Sequence, residues 1–182
     1  MDSKAEFRKK FLTLRRDIVD RTIKDKAVLD KLLVLSKFKN AKKIFCYVNT
    51  GGEVDTKGIF EYCIGNKIEI WMPVILNNGN MCGVKAEKTV DIKYFSPTTC
   101  LFIDKNKYLE FDMIITPLVA VDIQKNRLGR GGGYYDKFLS KLSVPFTSIG
   151  LAYDEQVSSE YLPAEAHDMP LDIIITPTKV IK

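Results

Sequence analysis

"FDMIITPLVAVDIQKNRLGRGGGYYDKFL", residues 111–139, decides how this chain is read. Residues 111–121 are apolar almost throughout, which predicts a strand buried on both faces rather than one that alternates toward water. Four glycines then fall within the five positions 129–133, and "YYDKFL" opens a helix expected from about Tyr134 to Leu142. A strand, a glycine loop and a helix in that order form half of an α/β unit. In open α/β sheets, ligands lie beyond the carboxyl ends of the strands, where such loops sit.

Working outward, the same rhythm recurs. "KIFCYV" (43–48) reads as a short buried strand, followed by the turn "NTGGEVD" and a helix through "TKGIFEYCI". "KIEIWMPVIL" and "NMCGVKA" flank "NNGN", a hairpin signal because Asn-Gly adopts positive φ at little cost. "FTSIGLAY" and "DIIITPT" predict two more strands, and residues 87–110, with Pro97, read mainly as loop. Before all of these, Phe7, Phe11, Leu14 and Ile18 recur at spacings of 4, 3 and 4, one apolar stripe on a helix from Ser3 to about Val19. Lys4, Arg8 and Arg15 form a basic line beside it, and a second helix is expected over Thr22–Phe38. Strands separated by helices predict an α/β three-layer sandwich. Its central sheet is largely parallel, helices cover both faces, and the hairpin adds antiparallel pairing at one edge. With 182 residues and no repeat or linker, residues 1–182 are expected to form one domain.

Composition narrows the chemistry. The chain is 46% hydrophobic and 28% charged, as in ordinary globular proteins. Cys46, Cys63, Cys82 and Cys100 include no Cys-x-x-Cys pair and His167 is the sole histidine, which argues against a zinc or redox site. Unpaired thiols suit a reducing compartment, and "MDSKAEFRKK" carries no apolar signal core, so a cytoplasmic location without a membrane partner is expected. Residues 1–43 hold 14 Lys/Arg against 6 Asp/Glu, whereas the remainder holds 14 against 17. A basic first quarter favours an anionic partner, whether nucleic acid, nucleotide or charged metabolite. Phe7 and Phe11 lie on the apolar stripe rather than interleaved with the cations. A nucleic-acid partner is therefore not expected.

The loop itself points to phosphate. Glycines let backbone N–H groups approach a polyphosphate without obstruction by Cβ, and a following helix adds its positive dipole end. Arg127 and Arg130 supply planar donors for phosphate oxygens. Asp136, in the first helical turn, is placed to hold a hydrated Mg²⁺ that bridges phosphates. The pattern is neither a P-loop, lacking Gly-Lys-Ser/Thr, nor Gly-x-Gly-x-x-Gly, since Tyr134 takes the last glycine's place. The bland alternative is a surface loop capped by a helix.

"NRLGRGGGYYDKFL", preceded by "MIITPLVAVD" and followed by "HDMPLDIIIT", closely resembles the signature of the 5-formyltetrahydrofolate cyclo-ligase family, also called 5,10-methenyltetrahydrofolate synthetases. Lys4, Arg8 and Arg15 match the family's N-terminal basic pattern, and the likeness runs in order along essentially the whole chain. It implies ATP- and Mg²⁺-dependent closure of 5-formyltetrahydrofolate to 5,10-methenyltetrahydrofolate, with release of ADP and phosphate. The implied ATP contacts are Lys4 and Arg8 from the first helix. Arg127, Leu128, Gly129 and Arg130 follow from the loop, and Gly131, Gly132, Gly133, Tyr134 and Tyr135 complete the set. Arg127, Arg130 and Tyr134 would act during catalysis. Val48 and Glu53, with Arg130 through Tyr134, would border the folate, and Asp136 and Asp172 would hold the metal. From residues alone, Glu53 reads as an exposed loop acid, Asp172 as a strand-end solvating group no better than Asp168, and Trp71, Met72 and Tyr94 as core or pocket wall. His167 reads as fixing a loop beside Asp168.

The sequence departs from that pattern at Leu118 and Asn126, where glycine is common, and in "YFSPTT" (94–99), where a Glu-Pro turn is usual. At Asn126 the change is mild, since asparagine tolerates the same positive φ. A monomer, or at most a weak dimer, is expected. Two other readings keep the site but change the outcome: a folate- or nucleotide-binding protein without turnover, and an ATP-dependent ligase for another N-formyl substrate.

Overall fold

The computed structural model describes residues 3–76, 81–86, 110–165 and 168–182. The "NNGN" turn, the 87–109 segment with Tyr94 and "YFSPTT", and His167 lie outside the described residues.

Five strands run parallel in the centre of the main sheet: β1 (Lys43–Cys46), β2 (Glu69–Ile75), β4 (Met113–Thr116), β7 (Thr147–Leu151) and β9 (Ile173–Ile175). Two antiparallel edge strands complete it, β3 (Met81–Lys85) beside β2 and β10 (Val180–Ile181) beside β9, in the order β10-β9-β7-β4-β1-β2-β3. The hairpin edge is as expected. The second antiparallel edge was not, because two residues carry too little pattern to be read.

Alternation along the strands sorts the core. Ile44 and Cys46 of β1, with Met113 and Ile115 of β4, face α2 (Arg21–Val34), α3 (Ser36–Asn40) and α4 (Lys57–Gly65) through Leu32, Phe38 and Phe60. Phe45 and Ile114 point the other way, onto Phe138 and Leu139 of α5 (Tyr134–Leu139), where Phe45 stacks on Phe138 at 4.7 Å. Helices therefore cover both faces, each fully buried large side chain contributing about 1.5–3 kcal/mol. The expected helix over 22–38 is two helices, because Leu35 is extended (φ −65°, ψ 129°) and re-aims the chain so that Phe38 reaches the core.

Residues 111–121 are not one strand. Pro117 carries no N–H to continue a ladder, and the chain leaves the main sheet after Thr116. It re-forms as β5 (Ala120–Asp122) in a second, three-stranded sheet with β6 (Arg127–Leu128) and β8 (Val157–Ser158). Leu118, a departure from the family pattern, packs against Ala152, Leu171 and Ile174. A Cβ on Gly150 would come within 2.9 Å of its Cδ2, so that glycine makes the room.

The small sheet seats α1 (Lys4–Arg16), which begins with a capping box between Ser3 and Glu6. Phe7 and Phe11 pack on Val119, Ala120 and Leu128. The buried face continues to Arg15, whereas Leu14 is 41% exposed. Leu14 thus leaves the expected stripe and a charged side chain takes the buried place, while Ile18, beyond the helix end at Arg16, is buried in the main core. Among the described residues, no helix is long and apolar enough to cross a membrane.

Candidate functional site

Strand order reverses between β1 and β4. The chain proceeds from β1 outward to β2 in one direction and from β4 to β7 and β9 in the other. Loops leaving the two strands diverge there, which opens the kind of crevice in which α/β proteins bind ligands. A cavity of 460 Å³ fills it, lined by Val48 and Glu53 after β1, by Pro117 and Leu118 after β4, and by the glycine loop.

The loop's shape is set by bonds that were not legible in the sequence. Asp122 is fully buried and accepts from Asn126 N and Nδ2 and from Leu162 N, each at 2.9 Å. Asn126 serves there as a double donor and is not in the left-handed region. That conformation belongs to Lys125 (φ 68°), one residue earlier, whose carbonyl accepts from Leu171 N at 2.9 Å. Gln156, also buried, donates to Val119 O at 2.9 Å. Gly131 has φ +100°, and a Cβ there would sit 3.4 Å from the Arg8 guanidinium. Only glycine allows that close approach without strain.

Around the loop, charges are laid out in pairs. Arg127 donates to Asp136 Oδ1 at 2.5 Å, with its side chain 4% exposed, and its guanidinium lies over the Tyr135 ring. Arg127 Nε and Tyr135 Oη are buried without a hydrogen-bond partner among the described residues. Two orphaned polar atoms on one cavity wall are groups for which a polar ligand can compensate. Burial holds the Tyr135 phenol, and that of neighbouring Tyr47, well above the ordinary range, so both stay protonated. Arg8 Nε donates to Gly129 O at 2.9 Å. The Tyr134 ring folds over Gly132, where a Cβ would meet Tyr134 Cε2 at 2.5 Å.

Arg130 crosses from the loop to the opposite wall. Its Nη2 pairs with Glu53 Oε1 at 2.8 Å and donates to Thr50 O and Oγ1 at 2.9 and 2.7 Å. Glu53 is buried, not an exposed loop acid, and its other oxygen accepts from Thr50 N at 2.9 Å. Lys4 pairs with Asp168 at 2.6 Å and Glu165 at 2.9 Å, and both acids also line the cavity. Burial works against the Lys4 ammonium, but those two carboxylates outweigh it and raise its pKa. Glu165 had no signal in the sequence.

The structure therefore brings Lys4, Arg8, Val48, Glu53 and residues 127–136 to one cavity. Asp172 is elsewhere: its Oδ2 accepts from Ser148 N at 2.7 Å and Ser148 Oγ at 2.9 Å, tying β9 to β7, and it does not line the cavity. Trp71 packs beside Phe111, and Met72 is core.

A sheet flanked on both faces, with an arginine-lined cavity at its switch point, defines an α/β protein built around one small-molecule site. The chain belongs to the 5-formyltetrahydrofolate cyclo-ligase family, whose model matches residues 1–177. It is 30% identical over 156 residues to the 5-formyltetrahydrofolate cyclo-ligase of Escherichia coli K12, covering 77% of this chain and 80% of that one. Solved structures that resemble it include two methenyltetrahydrofolate synthetases. The 5,10-methenyltetrahydrofolate synthetase of Mycoplasma pneumoniae has a TM-score of 0.75 at 27% identity, over 97% of this chain and 99% of the other. That of Aquifex aeolicus has a TM-score of 0.74 at 30% identity, over 97% and 91%.

Proposed function

We propose that this chain closes 5-formyltetrahydrofolate to 5,10-methenyltetrahydrofolate, consuming ATP with Mg²⁺ and releasing ADP and phosphate. Family membership supports the folate conversion. The observation that carries the rest is the Arg130–Glu53 pair, which joins the glycine loop to the wall bearing Val48 within one cavity.

The chemistry needs both walls. An N-formyl group is an amide, and its oxygen leaves poorly. Transfer of the γ-phosphoryl to that oxygen makes it part of a good leaving group. N10 then attacks the formyl carbon and loses its proton, the five-membered ring closes, and the former amide oxygen departs in inorganic phosphate. The protein's share is positioning and charge stabilisation, as in other phosphoryl transfers. Arg127 and Arg130 face the transferring group, the glycine loop donates backbone N–H groups, and Tyr134 closes over the loop. Arg8 steadies the loop through Gly129, and Lys4, held by Asp168 and Glu165, presents its ammonium at the cavity edge.

Asp136 lines the cavity from the glycine-loop side, Glu53, Glu165 and Asp168 being paired with Arg130 and Lys4, and no group of three His, Cys, Asp or Glu among the described residues could hold a metal ion alone. This suits Mg²⁺, which is usually held by one or two carboxylates with phosphate oxygens and water. When bound, the ion would neutralise phosphate charge as transfer proceeds. Asp172, bonded to Ser148, supports the β7–β9 edge instead.

The test is a near-ultraviolet trace with 5-formyltetrahydrofolate and Mg-ATP, against mixtures lacking ATP or Mg²⁺. The conjugated methenyl product is expected only in the complete mixture. No product, with ATP still protecting the protein against heat, would keep the nucleotide site and remove the folate assignment.

A further inference from the structure

Arg15 belongs to none of the contacts assigned above, yet it is 5% exposed at the end of α1's buried face. Its Nη1 lies 4.0 Å from Glu53 Oε1, the same oxygen that Arg130 holds at 2.8 Å, and 3.5 Å from Leu118 O. Arg21 secures the arrangement from α2, donating to Gly52 O at 2.6 Å and to Arg15 O. Gly52, at φ +81°, has the Arg21 guanidinium 3.0 Å from where a Cβ would be. Three guanidiniums from three segments thus grip the turn 50–53 around one carboxylate. Burial works against the Arg15 charge, Glu53 favours it, and Arg130 and Arg21 oppose it. At neutral pH an arginine nonetheless stays charged.

The two partners of Glu53 differ in freedom. The Arg130 side chain is 51% exposed and stands on the glycine loop, so an anionic ligand can draw it away. The Arg15 side chain is 6% exposed and stands on α1, away from the glycine loop. A buried carboxylate that lost its sole cation would be left uncompensated. We propose that Arg15 is the positioning residue for Glu53: it holds that carboxylate in place toward the folate when Arg130 turns to the phosphates. The inference rests on the folate-side reading of Glu53 made above.

The experiment is a double-mutant cycle on the full chain, comparing wild type, Arg15→Met, Glu53→Gln and the double variant. Calorimetric binding of 5-formyltetrahydrofolate to protein saturated with a non-hydrolysable ATP analogue is read beside binding of the analogue itself, and thermal melts confirm folding. Arg15→Met is expected to weaken folate binding about 10-fold or more while changing nucleotide binding less than about 3-fold. In the Glu53→Gln background the same substitution should cost less than about 2-fold. Additive costs, or parallel loss of both ligands, would make Arg15 a purely structural residue. If Arg15→Met does not fold, Arg15→Lys runs in the same cycle, with a smaller loss that again vanishes in the Glu53→Gln background. Unchanged folate binding by Glu53→Gln would remove the folate-side reading and this inference together. Folate binding without any methenyl product would remove the proposed turnover alone and leave the cycle readable.

Discussion

Arg127 and Asp136 form the pair on which the proposed phosphate chemistry rests. They lie nine residues apart, on β6 and α5, and are held within hydrogen-bond distance by the intervening loop. Either alanine substitution is expected to lower kcat by about 10²–10³, the usual cost of losing one preorganised charge donor or its anchor. The double variant should lose much less than the product of the two, because the residues act as a unit. Steady-state kinetics of the three variants checks this, and undiminished kcat in either single variant would show that the loop does not serve phosphate transfer. At this scale the glycines, Arg127, Arg130 and Asp136 were legible because each carries chemistry that few structural roles require. Asp122, Gln156 and Glu165 were not, since a lone acid or amide has no local signature until its partners are known.

Among the elements, α1 shows how a helix end can bear on a site. Ser3 and Glu6 cap it reciprocally, and Lys4, its first residue, is held at the cavity by Asp168 and Glu165. Ser3→Ala should cost about 1 kcal/mol of stability, as caps generally do. It should also raise KM for ATP more than KM for folate, because the frayed turn carries Lys4. Thermal melts and paired KM values test this, and equal changes in the two KM values would detach α1's first turn from the nucleotide. The 111–121 stretch is the instructive miss at this scale. Its apolar run reads as one strand, but Pro117 interrupts it and the two halves join different sheets.

At the scale of the whole molecule, burial controls the thiols of Cys46 and Cys63. It pushes Cys63 up to about 12 and raises Cys46 well above its ordinary value, with both side chains fully enclosed. Neither should react with a thiol reagent at pH 8 until the protein opens. An unfolded thiol ionises near 8.5, so the folded state retains a proton that the unfolded state gives up. The resulting stability is fully present below about pH 8.5 and is lost as pH rises toward 12, by about 1.4 kcal/mol per pH unit for each such group. Denaturant melts between pH 8 and 11 should show a steeper decline for wild type than for Cys63→Ala. Identical slopes would mean that the Cys63 thiol is not protected by the fold.

The amino-acid sequence by itself determined the α/β class, the parallel core strands, the glycine loop and its cations. It could do so because hydrophobic period and backbone permissiveness are local properties carried by neighbouring residues. Only the tertiary structure decided that the 111–121 run divides between two sheets and that Asp172 braces Ser148 rather than facing the cavity. It also decided that Arg15 and Glu53, 38 positions apart in the chain, meet in the interior. Those outcomes depend on which distant groups compensate one another once water is removed, and charge compensation in a buried space has no periodicity along the chain.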